Sequence, residues 1–199
     1  MIIRDIESLS STGSAFVAYF YFDFKDTGKQ DSRALLSSLL DQLSDQSDQF
    51  RDVLRELYSE HRDGSKKPND DALLRCLKGM LTIAGPVPVY LVLDALDECP
   101  NDLGFPTSRE KVLDLVKTIM DLALTNVHLC ITSRPEFDIR ATLELLATQK
   151  LSLHDESGQN QDIVDYVTFV VRSDRKMQRW RDDEKNLVIE KLTEKADGM

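Results

Sequence analysis

Three carboxylates stand close together in one short stretch: Asp94, Asp97 and Glu98 in VYLVLDALDECP. Asp94 ends an apolar run that starts at Val87, and the other two follow after Ala95 and Leu96. Buried acids are costly unless they hold a cation or a proton. Asp94 is therefore read as a ligand that orders Mg²⁺, and Asp97 or Glu98 as the group that handles an attacking water. The plainer alternative is a strand followed by an acidic turn, because Asp is frequent in turns. A second stretch, Thr132-Ser133-Arg134-Pro135, sets a fixed cation directly after the apolar VHLCIT. Acids for metal and water, with a guanidinium for a γ-phosphate, are what phosphoryl transfer requires.

The elements that must position these residues follow from the apolar pattern. Val87 to Leu93 is apolar on both faces and β-branched, which suits a strand inside a parallel sheet. Ligands bind at the C-terminal ends of such strands. Phe16 to Phe24 is aromatic and predicts a second strand, Val127 to Thr132 a short buried one, and Lys150 to Leu153 a brief last one. Met1 to Leu9 predicts a helix with Ile2, Ile3, Ile6 and Leu9 on one face. A leucine face from Leu35 to Leu43 predicts another, with Asp31 or Ser32 as N-cap. Phe50 to Tyr58 and Leu73 to Leu81 predict two more, the latter closed by Gly85 and Pro86. A long helix is expected from about Ser108 to Leu124, with Val112, Leu115, Val116, Ile119 and Ala123 inward. Phe137 to Ala147 looks helical, and Ile163 to Val171 and Leu187 to Leu192 define the last two helices. Strands alternating with helices imply an α/β fold: a parallel sheet of four strands, right-handed crossovers and helices on both faces. The ends of the Asp94 and Arg134 strands then share one sheet edge and face one pocket.

Composition narrows the function. The 199 residues allow one domain with a sizeable core. A net charge of −10 argues against broad nucleic-acid or anionic-membrane binding, which need a basic surface. No apolar run approaches the roughly 20 residues of a membrane span, and no basic segment with an apolar core opens the chain as a signal peptide. Cys76, Cys99 and Cys130 are scattered and odd in number, pointing to a reducing, cytoplasmic setting. Cys99 lacks a histidine spaced to activate it, so it reads as structural. His128 reads as a packed residue of a buried strand, and His61 and His154 as loop or strand-end residues. The basic run RSDRKMQRWR, residues 172–181, reads as a solvated helix end.

The segments FVAYFYFDFKDTGKQ, VYLVLDALDECP and LCITSRPE resemble the NACHT NTPase domain of STAND proteins, and fungal NOD-like receptors most of all. The likeness covers nearly the whole chain. It implies a three-layer P-loop NTPase core over residues 1–157 and the start of a following helical region over 158–199. It also implies ATP or GTP with Mg²⁺, slow hydrolysis, and control of self-association with other protomers in signalling, including self/non-self response. Such domains commonly precede ankyrin, WD40 or TPR repeats. Carried over residue by residue, Asp94 matches the Walker B metal ligand. Asp97 and Glu98 match the acidic pair that orients water, and Arg134, beside Ser133, matches the sensor that reads the γ-phosphate. Asp23 lies in a family-typical segment with no assigned chemistry.

One departure is large. The string G-x-x-x-x-G-K-[ST] occurs nowhere, and Thr27-Gly28-Lys29-Gln30 is a lone Gly-Lys outside that context. In the sheet order that the resemblance implies, 5-1-4-3-2, the strand before that loop is also missing. Two explanations stay open. The chain is a fragment of a longer NACHT protein, which its abrupt helical start and final Met199 favour, or it is a degenerate, non-hydrolysing interaction module.

Overall fold

The computed structural model describes residues 13–61, 66–102, 104–152 and 157–196. The expected helix at Met1 to Leu9 lies outside them. By its contacts the chain divides into two units, 1–146 and 147–199.

The first unit holds a three-stranded parallel sheet in the order β1 (Phe16–Tyr21), β2 (Val89–Asp94), β3 (Val127–Ile131). Phe20 pairs with Leu93, and Leu93 with Ile131. Having a neighbour on each side, β2 is the best covered strand, with Val89 and Leu91 fully buried. Among the described residues five α-helices accompany the sheet: α1 (Ser32–Ser44), α2 (Asp48–Glu60), α3 (Asp70–Ile83), α4 (Ser108–Met120) and α5 (Phe137–Leu143). Leu35, Leu36, Leu39, Leu40 and Leu43 of α1 are buried, as their spacing requires. The Asp31 carboxylate caps α1 by accepting from the Ala34 N–H at 2.7 Å. Asn69 caps α3, and Gly85 at φ +61° follows its end. Thr107 and Glu110 form a reciprocal capping box on α4.

Several expectations are corrected. Residues 150–152 form no strand, and Leu153 is outside the described residues, so the described sheet has three strands rather than four. A strand needs a ladder partner, and residues 150–152 pair with no strand of the described sheet. The helix from Ser108 ends at Met120, because Ala123 takes φ +48° in a turn and is exposed. α5 stops at Leu143, short of Ala147. β1 stops at Tyr21, and β3 is half-buried rather than buried. His128 is exposed, its ring stacked on Tyr90 with centroids 5.0 Å apart.

The outer edge of β1 is covered by side chains instead of a strand. The Gln46 amide accepts from Val17 N–H at 2.9 Å and donates to Val17 C=O at 2.6 Å. Gln42 treats Tyr19 the same way, at 3.0 and 2.7 Å. Gln42 lies in the last turn of α1 and Gln46 just past its end, and together they reach strand residues about 6.6 Å apart. These two amides thus satisfy an edge that would otherwise recruit another chain.

The second unit contains α6 (Ser157–Ser173) and α7 (Asp182–Ala196). The basic run expected at a helix end falls mostly in the turn between them, residues 174–181, where Arg181 pairs with Asp183 and Glu184 of α7.

The covered edge makes a prediction. Gln42→Ala combined with Gln46→Ala leaves four backbone groups of Val17 and Tyr19 without protein partners. Stability in urea should fall by about 1–3 kcal/mol. An unchanged midpoint would mean that water replaces those amides without loss.

Candidate functional site

Beyond the last paired residues, Leu93 and Ile131, β2 and β3 present Asp94 and Thr132 side by side. The Thr132 hydroxyl donates to Asp94 Oδ1 and accepts from the Ala95 N–H at 3.0 Å. Ala95 then takes the left-handed conformation, φ +55°, unusual for a residue with a Cβ. The chain turns there into a short 3₁₀ segment, Leu96–Glu98, anchored by the fully buried Leu96. That turn sends the next two carboxylates different ways. Asp97 Oδ1 accepts from the Arg134 N–H at 3.0 Å, and its Oδ2 lies 3.4 Å from Arg134 Nε. Glu98 Oε2 accepts from the Phe24 N–H at 3.3 Å, across to the loop after β1.

An open cleft of about 400 Å³ lies at this sheet edge, with Asp94 and Glu98 on one wall and Asp23, Lys25 and Lys29 on the other. Asp94 and Glu98 are thus brought together, and Asp97, Ser133 and Arg134 are not part of the lining. The Ser133 hydroxyl donates to its neighbour's carbonyl, Arg134 C=O, at 2.8 Å. Arg134 is 83% exposed, so its ion pair with Asp97 adds little stability and serves mainly to fix position. Lys29 belongs to the Gly-Lys that motif context set aside, yet it faces the acids. Its loop is held internally by Gln30 donating to Phe24 C=O at 2.7 Å, and is tied to theirs where Gln30 C=O accepts from the Cys99 thiol at 3.2 Å.

Motif spacing did not single out Arg109, which is 5% exposed and, among the described residues, the one charged residue that is buried. Its Nε donates to Cys99 C=O at 2.9 Å and its Nη2 to Asp97 C=O at 2.7 Å. Its Nη1 pairs with Glu136 and, at 3.4 Å, with Asp138. A signal was present: Arg109 stands three, four and seven residues before Val112, Leu113 and Val116, on the apolar stripe of α4. A charge on that stripe needs partners of its own.

Burial pushes the Cys99 thiol up to about 12 and the Cys76 thiol up to about 11, from an ordinary 9.0. Nearby Glu56 and Glu60 push Cys76 the same way, and Arg109 opposes the shift at Cys99. A protonated Cys99 can donate to Gln30 C=O, and a thiolate cannot.

Among the described residues no group of three or more His, Cys, Asp or Glu is placed to hold a metal ion unaided. Asp94 fits a narrower role. It lines the cleft, Thr132 holds one of its oxygens, and among the described residues Oδ2 has no partner. Mg²⁺ commonly takes one or two carboxylates and fills its shell with water and phosphate oxygens. Among the described residues, no helix is long and apolar enough to cross a membrane.

Fold and site define a mixed α/β protein whose parallel sheet carries an acidic cleft at its C-terminal edge. The family model described as Nephrocystin 3, N-terminal, matches residues 1–134, two thirds of the chain, and the chain belongs to that family. No curated protein and no solved structure matches it.

The shifted thiols give a prediction. Cys99 and Cys76 should resist iodoacetamide at pH 8 in the native protein and react on unfolding, as peptide mass spectrometry would read. Each raised thiol pKa also makes stability fall with pH. Its contribution is complete below pH 9 and is lost towards pH 12 for Cys99 and pH 11 for Cys76. Labelling of native Cys99 at the rate of an unfolded thiol would contradict the burial.

Proposed function

We propose that this chain is the metal-binding and γ-phosphate-reading side of a nucleotide switch of the NACHT/STAND type. The observation that carries the reading is Asp94 and Glu98 in one cleft at the C-terminal edge of a parallel sheet, with Arg134 following the next strand. Asp94 would hold Mg²⁺, oriented by the Thr132 hydroxyl. Bound with the phosphates of ATP or GTP, that cation supplies charge neutralisation. Glu98, at the cleft wall, is better placed than Asp97 to orient a water. Asp97 holds Arg134 by its backbone N–H and Nε, which leaves the two Nη groups for a phosphate. Ser133 offers a hydroxyl on the same segment. In this reading residues 1–157 form the nucleotide core, residues 158–199 begin a helical region, and hydrolysis in the cytoplasm controls association with further protomers.

A second reading has one observation in its favour. The 199 residues contain no G-x-x-x-x-G-K-[ST], so they lack the backbone cradle and lysine that hold the β- and γ-phosphates. A family member without that cradle would serve as a scaffold, working through its helices.

Two measurements separate the readings. In the full-length gene product, Asp94→Asn should lower Mg²⁺-dependent ATP or GTP hydrolysis by at least about 100-fold. Absent hydrolysis, or hydrolysis unaffected by the substitution, would overturn the switch reading. The 199-residue chain alone should show no micromolar dissociation constant for either nucleotide by calorimetry. Micromolar binding would mean that the cleft needs no phosphate loop.

A further inference from the structure

We infer that Arg109 is the positioning residue that locks the two halves of the cleft edge together. One half is the acid turn after β2, the other the segment from Thr132 to Asp138 that carries Arg134. These segments lie more than thirty residues apart in sequence and meet at one buried guanidinium. The fork divides its donors between them. Nε and Nη2 hold the carbonyls of Cys99 and Asp97, which fixes the path of the turn. Nη1 holds Glu136 and Asp138, and the Glu136 N–H donates to Arg134 C=O at 2.8 Å. The side-chain bonds on the other face then fall into place: Asp97 on Arg134, Glu98 on Phe24.

The chemistry explains why arginine fills this position. Only a planar fork with five donors can reach two carbonyls on one side and two carboxylates on the other. A buried cation held by two carboxylates and two carbonyls has discrete partners, so displacement of one side is felt by the other. Glu136 and Asp138 are partly exposed, at 45% and 32%, while the guanidinium is not. The clamp is therefore anchored inside and adjustable at its rim. A ligand that drew on Arg134 would pull on the Glu136 arm two residues on, and through Arg109 on the turn that aims Glu98. What the cleft binds rests on the nucleotide reading; the clamp does not.

Nuclear magnetic resonance of the whole chain tests it without any ligand. The amide resonances of Arg134 and Phe24 report the two bonds that the clamp sets up, to Asp97 and to Glu98. In Arg109→Met both should move towards random-coil positions, while the β2 amides of Leu91 and Val92 keep theirs. Arg109→Lys keeps the charge and loses the fork, so the same two resonances should still move. A purely stabilising role would lower the melting temperature and leave the spectrum of the folded population unchanged. Unmoved Arg134 and Phe24 amides, or full restoration by lysine, would overturn the proposal. Should Arg109→Met fail to fold, Glu136→Gln with Asp138→Asn takes its place. These substitutions lie on one side of the clamp, and the Phe24 amide on the far side should shift; a still Phe24 resonance would overturn the proposal equally. In the full-length gene product, Arg109→Lys should lower the rate constant for hydrolysis more than nucleotide affinity. If no variant hydrolyses nucleotide while the resonances move, the switch reading fails and the clamp stands.

Discussion

Leu93 is paired with Phe20 on one side and Ile131 on the other, and this double register determines where the carboxylates emerge. A parallel ladder brings C-terminal ends to one edge, so Asp94 must surface between the loops that follow β1 and β3. Slipping either pairing by one residue would turn Asp94 to the opposite face. Burial resists that slip, because Val89, Leu91 and Leu93 would all leave the core together. At about 25 cal/mol per Å² of apolar surface, even one such side chain is worth about 2 kcal/mol. The register thus follows from apolar packing, and the polar site inherits it.

What happens after Asp94 depends on polar bonds instead. Ala95 in the left-handed region is a local cost, and Leu96, buried completely, with its N–H on Thr132 C=O, offsets it. The resulting turn splits three carboxylates of similar chemistry into three roles by geometry alone. Asp94 stays beside Thr132 at the cleft, Asp97 turns to Arg134, and Glu98 crosses to the loop after β1. Spacing along the chain does not reveal such a division.

The strands and helices that the apolar pattern makes legible share one property: their buried faces are set by short-range periodicity. The leucine face of α1 and the run before Asp94 are read correctly because apolar residues dominate the inward positions, with only Ser32 and Ser44 buried beside the leucines at the two ends of α1. The errors fall where long-range partners decide. Residues 150–152 look like a strand in isolation, and a strand exists only where a ladder accepts it. Ala123 continues the α4 pattern by type, but the chain needs a tight turn before β3 and spends that residue on it. Gln42 in the last turn of α1 and Gln46 just past its end look like ordinary polar residues, and their work on β1 is visible only once helix and strand are side by side.

The candidate site shows the same contrast in sharper form. Asp94 was legible because an acid ending an apolar strand breaks a pattern. Arg109 broke one too, as a cation on the apolar stripe of α4, but its meaning lay in four partners from two distant segments. A lone inward charge can be solvated at a helix end, and only the fold decides between that and a buried clamp. Here the fold buries it, and an ion in that position holds its surroundings to a definite geometry more than it stabilises them. The cleft therefore rests on two kinds of constraint. Apolar register delivers Asp94 to the sheet edge, and one buried guanidinium keeps the acid turn and the Arg134 segment in step with it.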